Sequence, residues 1–349
     1  MPNVLPLALG LVIFSFSVTS ILVVPFINFL YKLKIVRQKE APKKGKVPLF
    51  DKLHDKKAGT PTGGGILLIA VVSLTFALIF PLVTYFGVFI HSAHNLKTEL
   101  AIIFFTFISF AALGLSDDLL KIWGKARQGA MGLWIGMSRT HKFILQWILA
   151  FIVAFGLYNF LGIQIFHVPV INKVIHLGIW YIPFAAFIIV FFANAFNITD
   201  GLDGLSSGLL VFYLITFGVI AAGNLDTPLS IFIALWLGTI IAFLYFNVWP
   251  ARIILGDAGA ISFGAMIAVI GLLTGNIAAL FVVGGIFVIE ALSSAIQIFG
   301  WRVLKRPIFP LAPIHHAFLA SGWEEPKIVM RAWLAGIMLA IFGLWLATI

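Results

Sequence analysis

Residues 178–222 read GIWYIPFAAFIIVFFANAFNITDGLDGLSSGLLVFYLITFGVIAA. Two apolar runs, 178–197 and 203–222, flank a short polar turn, and the only charged groups in the stretch are Asp200 and Asp203. About 20 helical residues cross the roughly 30 Å hydrocarbon core of a bilayer. The stretch therefore reads as two membrane helices joined at one surface by a turn that carries carboxylates.

The same pattern extends in both directions. Apolar runs at 5–30, 64–90, 99–119, 142–161, 228–247, 257–273, 276–299 and 328–348 bring the expected number of spans to about ten. The runs are continuously apolar and do not alternate at period two, which excludes a β-barrel. Composition agrees: of 349 residues, 61% are hydrophobic and 10% charged, with a mean hydropathy of +1.09. Soluble domains carry about 25% charged residues. The fold class is all-α, a polytopic integral membrane protein with a single transmembrane domain over 1–349. The absence of cysteine excludes disulfides, thiolate metal sites, iron–sulfur clusters and cysteine nucleophiles.

The net charge of +10 points to nucleic acid only if its placement is ignored. Of the 23 Lys and Arg, 21 fall in alternate connections at 31–58, 119–142, 248–256 and 300–331, and the opposite set holds only Lys97 and Lys173. Positive loops stay cytoplasmic, so the loops at about 31–62, 120–141, 198–202, 248–256 and 300–327 are expected inside and both termini outside. No nucleic-acid partner is expected; the lipid bilayer is the partner these charges address. The first span has no basic stretch before it and reads as a retained helix.

Five acids, Asp117, Asp118, Asp200, Asp203 and Asp257, stand at span ends on the expected cytoplasmic surface. Ionisable groups at a membrane boundary are costly and tend to be functional. Five carboxylates at one level need a divalent cation or basic partners, and carboxylate with phosphate oxygens suits Mg2+. Each group also has a plainer reading. Asp117-Asp118 can be a solvated helix end beside Lys121, although acids there oppose the helix dipole. The run Asn194, Asn197, Asp200, Asp203 can be a tight turn with Asp203 as helix N-cap; its density, with Gly201 and Gly204, favours a ligand. Asp257 after Gly256 can be an N-cap, a metal ligand or part of a phosphate-binding helix start. His315-His316, behind Pro307, Pro310 and Pro313, is a poor zinc signature and fits phosphate better. The stretch Lys56 to Gly65 is not a P-loop; it holds an anion or is a flexible basic entry to the second span. His54 reads as an ordinary loop residue. Glu290, near Gly284 and Gly285, suggests a broken or water-facing helix. Trp323, Pro326 and Lys327 read as interface anchors for the last span.

In combination these segments resemble the polyprenyl-phosphate N-acetylhexosamine-1-phosphate transferase superfamily. The carrying pieces are Asp117-Asp118, the run from Asn194 to Gly204, Gly256-Asp257-Ala-Gly259 and His315-His316, in family order across nearly the whole chain. Gly59-Thr-Pro-Thr62-Gly-Gly, Ala312-Pro-Ile-His-His316, Gly322-Trp-Glu-Glu-Pro-Lys327 and Arg331-Ala-Trp333 resemble one branch of it. That branch implies transfer of phospho-N-acetylmuramoyl-pentapeptide from UDP-N-acetylmuramoyl-pentapeptide to undecaprenyl phosphate, giving lipid I and UMP. It also implies an active site on the cytoplasmic face of the bacterial plasma membrane, and a homodimer.

The resemblance further implies the roles. Asp257 would hold Mg2+ with Asp118, and Asp117 would face or deprotonate the lipid phosphate. Asp118 and Asp200 would complete the acidic site. Gly201, Leu202 and Asp203 would line a uridine pocket, with Lys57, Thr62 and Asn247 near the nucleotide sugar. Lys142 and His315 would face phosphates, and Asn194, Asn197 and His316 would join the substrate contacts. Two positions depart from the family pattern: Ala317 and Leu319 follow the histidine pair, and Ile254 stands where an aromatic residue is usual. The nearest rival is a UDP-N-acetylglucosamine-using transferase, which would share the acids. A cation-coupled secondary transporter would place ionisable groups at the midplane and often show inverted repeats; no repeat is visible here.

Overall fold

In a computed structural model of the chain, the described residues are 4–37, 57–88, 90–123, 127–129, 132–134 and 136–349. His54, Lys56 and most of the basic stretch 31–62 lie outside them. Among the described residues, ten helices are long and apolar enough to cross a membrane. In chain order they are α1 (Val4–Lys32), α2 (Gly64–Tyr85), α3 (Leu96–Trp123), α4 (Arg139–Asn159), α5 (Tyr181–Thr199), α6 (Leu205–Gly223), α7 (Thr227–Asn247), α8 (Gly256–Leu273), α10 (Gly285–Phe299), whose span continues as a π-helical turn to Leu304, and α12 (Glu325–Thr348). Two short α-helices, α9 (Ile277–Val283) and α11 (Ile314–Ala320), also lie among the described residues.

Several boundaries differ from the sequence expectation. The ninth run is two helices, α9 and α10, divided at Gly284, where a Cβ would come within 2.7 Å of the Phe192 ring. The third span runs to Trp123, so Asp117 and Asp118 sit inside its last turns and not at its end. Basic neighbours, described below, let the helix continue past them. The second span stops at Tyr85, short of residue 90. The stretch 300–327 contains α11, which starts only after Pro313. Two antiparallel hairpins interrupt the all-α chain: β1 (Arg127–Gly129) with β2 (Gly132–Trp134), and β3 (Ile165–Val168) with β4 (Lys173–His176).

α8 is the centre of the bundle. In its most apolar window 89% of residues are buried, against 22% for α1 and α12. A helix apolar on all sides belongs inside, and small residues let its neighbours approach closely. A Cβ on Gly114 of α3 would stand 2.2 Å from the Asp257 carbonyl oxygen, and one on Gly65 of α2 would stand 2.3 Å from the Cα of Gly259. One on Gly264 would stand 2.3 Å from the Phe192 carbonyl of α5. Further along α8, Phe263 stacks on Phe107 and meets Trp236 edge-on, joining α3, α7 and α8.

Candidate active site

Because neighbouring spans run antiparallel, the end of α3, the start of α4, the end of α5 and the start of α8 meet at one end of the bundle. They bring the expected acids together. Lys121, one turn beyond Asp117, places its Nζ 2.8 Å from Asp257 Oδ2 and 3.2 Å from Asp117 Oδ2. Lys142, in the first turn of α4, reaches Asp117 Oδ2 at 2.9 Å and also bonds Asp257 Oδ2. Two ammoniums therefore bridge two carboxylates, which relieves the repulsion that the sequence posed. Asn197 donates to the other Asp257 oxygen at 3.1 Å. Asp117 Oδ1 accepts the Met137 amide at 2.8 Å. That contact requires the backbone at Gly136, with φ +124, where a Cβ would press to 2.9 Å from the same oxygen.

Asp118 has another task. Its two oxygens accept the amides of Asp257, at 3.1 Å, and Ala258, at 3.0 Å. The first turn of a helix leaves amides without partners, and α8 has no side-chain cap of its own. The cap expected of Asp257 is thus supplied by Asp118 from a different helix. Asp203 is no N-cap either: Gly204 takes that position in a left-handed conformation, with φ +77.

A second cluster lies around the turn between α5 and α6. Lys57 Nζ is 2.7 Å from Asp203 Oδ1, 2.6 Å from Glu325 Oε1 and 3.1 Å from the Gly201 carbonyl. Glu325 also accepts the Asp203 amide at 2.6 Å, and Asp203 Oδ2 accepts the Ala251 amide at 2.9 Å. Ser206 donates to Asp200. Burial pushes the Asp200 carboxyl up to about 7, against the pull of Ser206 and Lys57 and with the repulsion of Asp257 added. Asn247 accepts from Ser207 and donates to the Ile253 carbonyl at 3.0 Å. A small cleft opens among these groups, walled by Arg37, Lys57, the turn 200–203, Asn247 and Ile254. The strand-like segment carrying Thr62 runs beside it and pairs with Ile254. The Thr62 hydroxyl lies close to Gly256, with the Asp118 carboxylate on the same glycine.

The histidines enter from α11. His315 and His316 are both buried, at 1% and 3% exposure. His315 Nδ1 is 2.9 Å from Glu290 Oε2, and its Nε2 lies against Gly201. Asn194 is turned toward α4, where its amide donates to Gln146 at 2.7 Å, besides the Val190 carbonyl at 2.8 Å. Leu202 is buried at 4% exposure.

Three residues in these clusters have roles that sequence reasoning did not assign. Lys121, in sequence only a neighbour of the acids, bridges Asp117 and Asp257. Glu325, part of the segment Gly322–Lys327, holds Lys57 and the Asp203 amide. Glu290 is buried, not water-facing. The i,i+4 spacing of Asp117 and Lys121 was the available signal for the first; the others meet partners far away in the chain.

Comparison with known proteins adds three observations. Residues 100–275 match the model of glycosyl transferase family 4. A phospho-N-acetylmuramoyl-pentapeptide-transferase of Clostridium perfringens (strain SM101 / Type A) is 36% identical over 321 residues, 91% of this chain and 90% of that protein. Proteins of the same name from Caldanaerobacter subterraneus subsp. tengcongensis and Geobacillus sp. (strain WCH70) are 33% and 32% identical. Those alignments cover 94% and 96% of each chain, respectively.

Proposed function

Because the chain belongs to glycosyl transferase family 4 and, within it, to the phospho-N-acetylmuramoyl-pentapeptide-transferases, we infer that it serves peptidoglycan synthesis. It transfers phospho-N-acetylmuramoyl-pentapeptide from the UDP-linked donor to undecaprenyl phosphate, giving lipid I and UMP. The observation that carries this activity to a site is the meeting of Asp117, Asp257, Lys121 and Lys142 at one end of the bundle. Phosphoryl transfer asks chiefly for positioning and for neutralisation of phosphate oxygens. Lys121 and Lys142, shared between two carboxylates, are placed to turn toward a pyrophosphate. Asp117, fixed by the Met137 amide, faces the acceptor phosphate and takes its proton where one is present. The cleft around Lys57, Gly201, Leu202, Asp203 and Asn247 receives the uridine end, with Thr62 at its edge. Asn197, Asp200, His315 and His316 stand between the two clusters, and Asn194 ties α5 to α4 through Gln146.

The donor set fits magnesium. Asp257 and Asp118 offer hard oxygen ligands, and a hard cation of this size takes one or two carboxylates plus phosphates and water. Asp257 would hold the ion. Asp118 fixes Asp257 by its backbone amide, and each Asp118 oxygen keeps a further lone pair for the same ion. A magnesium ion there would supply charge neutralisation on the donor pyrophosphate. Lys57, Lys121 and Lys142 stand at the same end as the carboxylates, which by the positive-inside rule supports a site on the cytoplasmic face, where a soluble nucleotide sugar is available.

The test is UMP release by the purified chain with undecaprenyl phosphate and each UDP-sugar in turn. The muramoyl-pentapeptide donor is expected to be turned over, and Asp257→Asn to abolish turnover together with its magnesium dependence. Equal efficiency with UDP-N-acetylglucosamine would reassign the chain to the rival transferase.

A further inference from the structure

α10 carries Glu290, Ser293 and Gln297 at spacings that place them on one helical face. Each binds backbone of the segment that ends in the histidine pair. Gln297 accepts the amides of Ile308 at 3.0 Å and Phe309 at 2.9 Å, and donates to the Phe309 carbonyl at 3.0 Å. Ser293 accepts the Ile314 amide at 3.0 Å. Glu290 lies 3.4 Å from the His315 amide. Docking of the loop needs only neutral acceptors, as Gln297 and Ser293 demonstrate. A carboxylate inside a membrane helix is expensive, and Glu290 is only 3% exposed. Its stronger contact is to the ring, where Nδ1 is 2.9 Å from Oε2. A carboxylate oxygen accepts only, so Nδ1 donates and the ring is fixed. Nε2 then points the other way. It is buried, has no hydrogen-bond partner among the described residues, and would stand 2.4 Å from a Cβ at Gly201. The Gly201 carbonyl is also where the Lys57 ammonium reaches.

We propose that Glu290 is a positioning residue for the transfer reaction: by accepting from Nδ1–H it locks the His315 ring so that, in the imidazolium form, Nε2–H is presented at the Asp200–Gly201 turn as a donor to a phosphate oxygen of the UDP-linked donor. The proposal rests on the reading of His315 as a phosphate-facing group. A carboxylate behind a histidine sets the orientation of its ring and holds one nitrogen as a donor, which leaves the far nitrogen aimed at its target. Glu290→Gln separates this from docking. Glutamine still offers an oxygen to the His315 amide, but its amide hydrogens compete for Nδ1, so the ring state is no longer fixed.

The experiment is a double-mutant cycle on the full chain in detergent, measuring kcat and KM for the pentapeptide donor. Glu290→Gln should lower kcat by at least about 100-fold, the lower range for positioned catalytic groups, with KM little changed. In the His315→Ala background it should have no further effect. Gln297→Ala, which removes loop docking alone, should combine multiplicatively with His315→Ala. Should Glu290→Gln fail to fold, Glu290→Asp carries the same cycle. Wild-type kcat in the Glu290 variant, or multiplicative loss with His315→Ala, overturns the proposal and leaves the role of His315 standing. Wild-type turnover by His315→Ala removes the reading beneath it.

Discussion

Asp118 lies within the last turns of α3 and Asp200 just past the end of α5, and their surroundings give them different tasks. Asp118 receives two backbone amides and acts as the cap of another helix. Asp200 receives one hydroxyl, and desolvation raises its carboxyl to about 7. A group whose folded pKa is raised favours the folded state fully below its unfolded value, and that contribution is lost as pH rises through the folded value. Stability of the wild-type chain should therefore decline between about pH 4 and pH 7 through this residue. Asp200→Asn cannot ionise and should flatten that part of the profile, gaining thermal stability relative to wild type at pH 8 but not at pH 4. Melting curves in detergent at both pH values check this, and parallel profiles would remove Asp200 as the cause. The acids themselves were legible because a carboxylate in an apolar run stands out. Their partners were not. Lys57 and Glu325 are 268 positions apart, and Lys121 and Asp257 136 apart, so no local spacing announces either pair.

Among the elements, the α3–α8 contact fixes the site. With no side chain at Gly114, the two backbones approach until Asp118 reaches the free amides of α8. A Cβ there would meet the Asp257 carbonyl oxygen at 2.2 Å and its carbon at 2.5 Å. Gly114→Ala should push the helices apart, cost about 1–3 kcal/mol as other overpacking changes do, and lower UMP release at least tenfold. Gly10→Ala on α1, where nothing lies within 4 Å, should leave both unchanged. The pair is compared by melting temperature and turnover, and equal behaviour would show that the approach is not needed. Helix existence was legible from run length alone. The break at Gly284 was only hinted at by its glycines, because it depends on the Phe192 ring across from it. The hairpins were invisible, since strands of three and four residues carry too little pattern.

For the whole molecule, the split of basic residues predicts orientation. Reporter fusions at residues 45, 130 and 315 should read cytoplasmic and those at 95 and 170 external. A cytoplasmic reading at 95 would break the shared face of the acids. The order of the spans was legible, but their arrangement was not. α1 is more apolar in sequence than α8, although α8 is the buried one. Lipid is as apolar as a protein core, so hydropathy cannot separate the two positions. That arrangement bears on membrane adaptation. Asp257 is carried by a helix with almost no lipid neighbours, while α1 and α12 stand at the rim. Changes in acyl-chain length are accommodated by tilt and local bilayer deformation at lipid-facing helices. Asp257 is thereby shielded from changes in bilayer thickness, whereas Lys142 rides on α4, with only 33% of its window buried, and is the partner through which a change of lipid would reach the cluster.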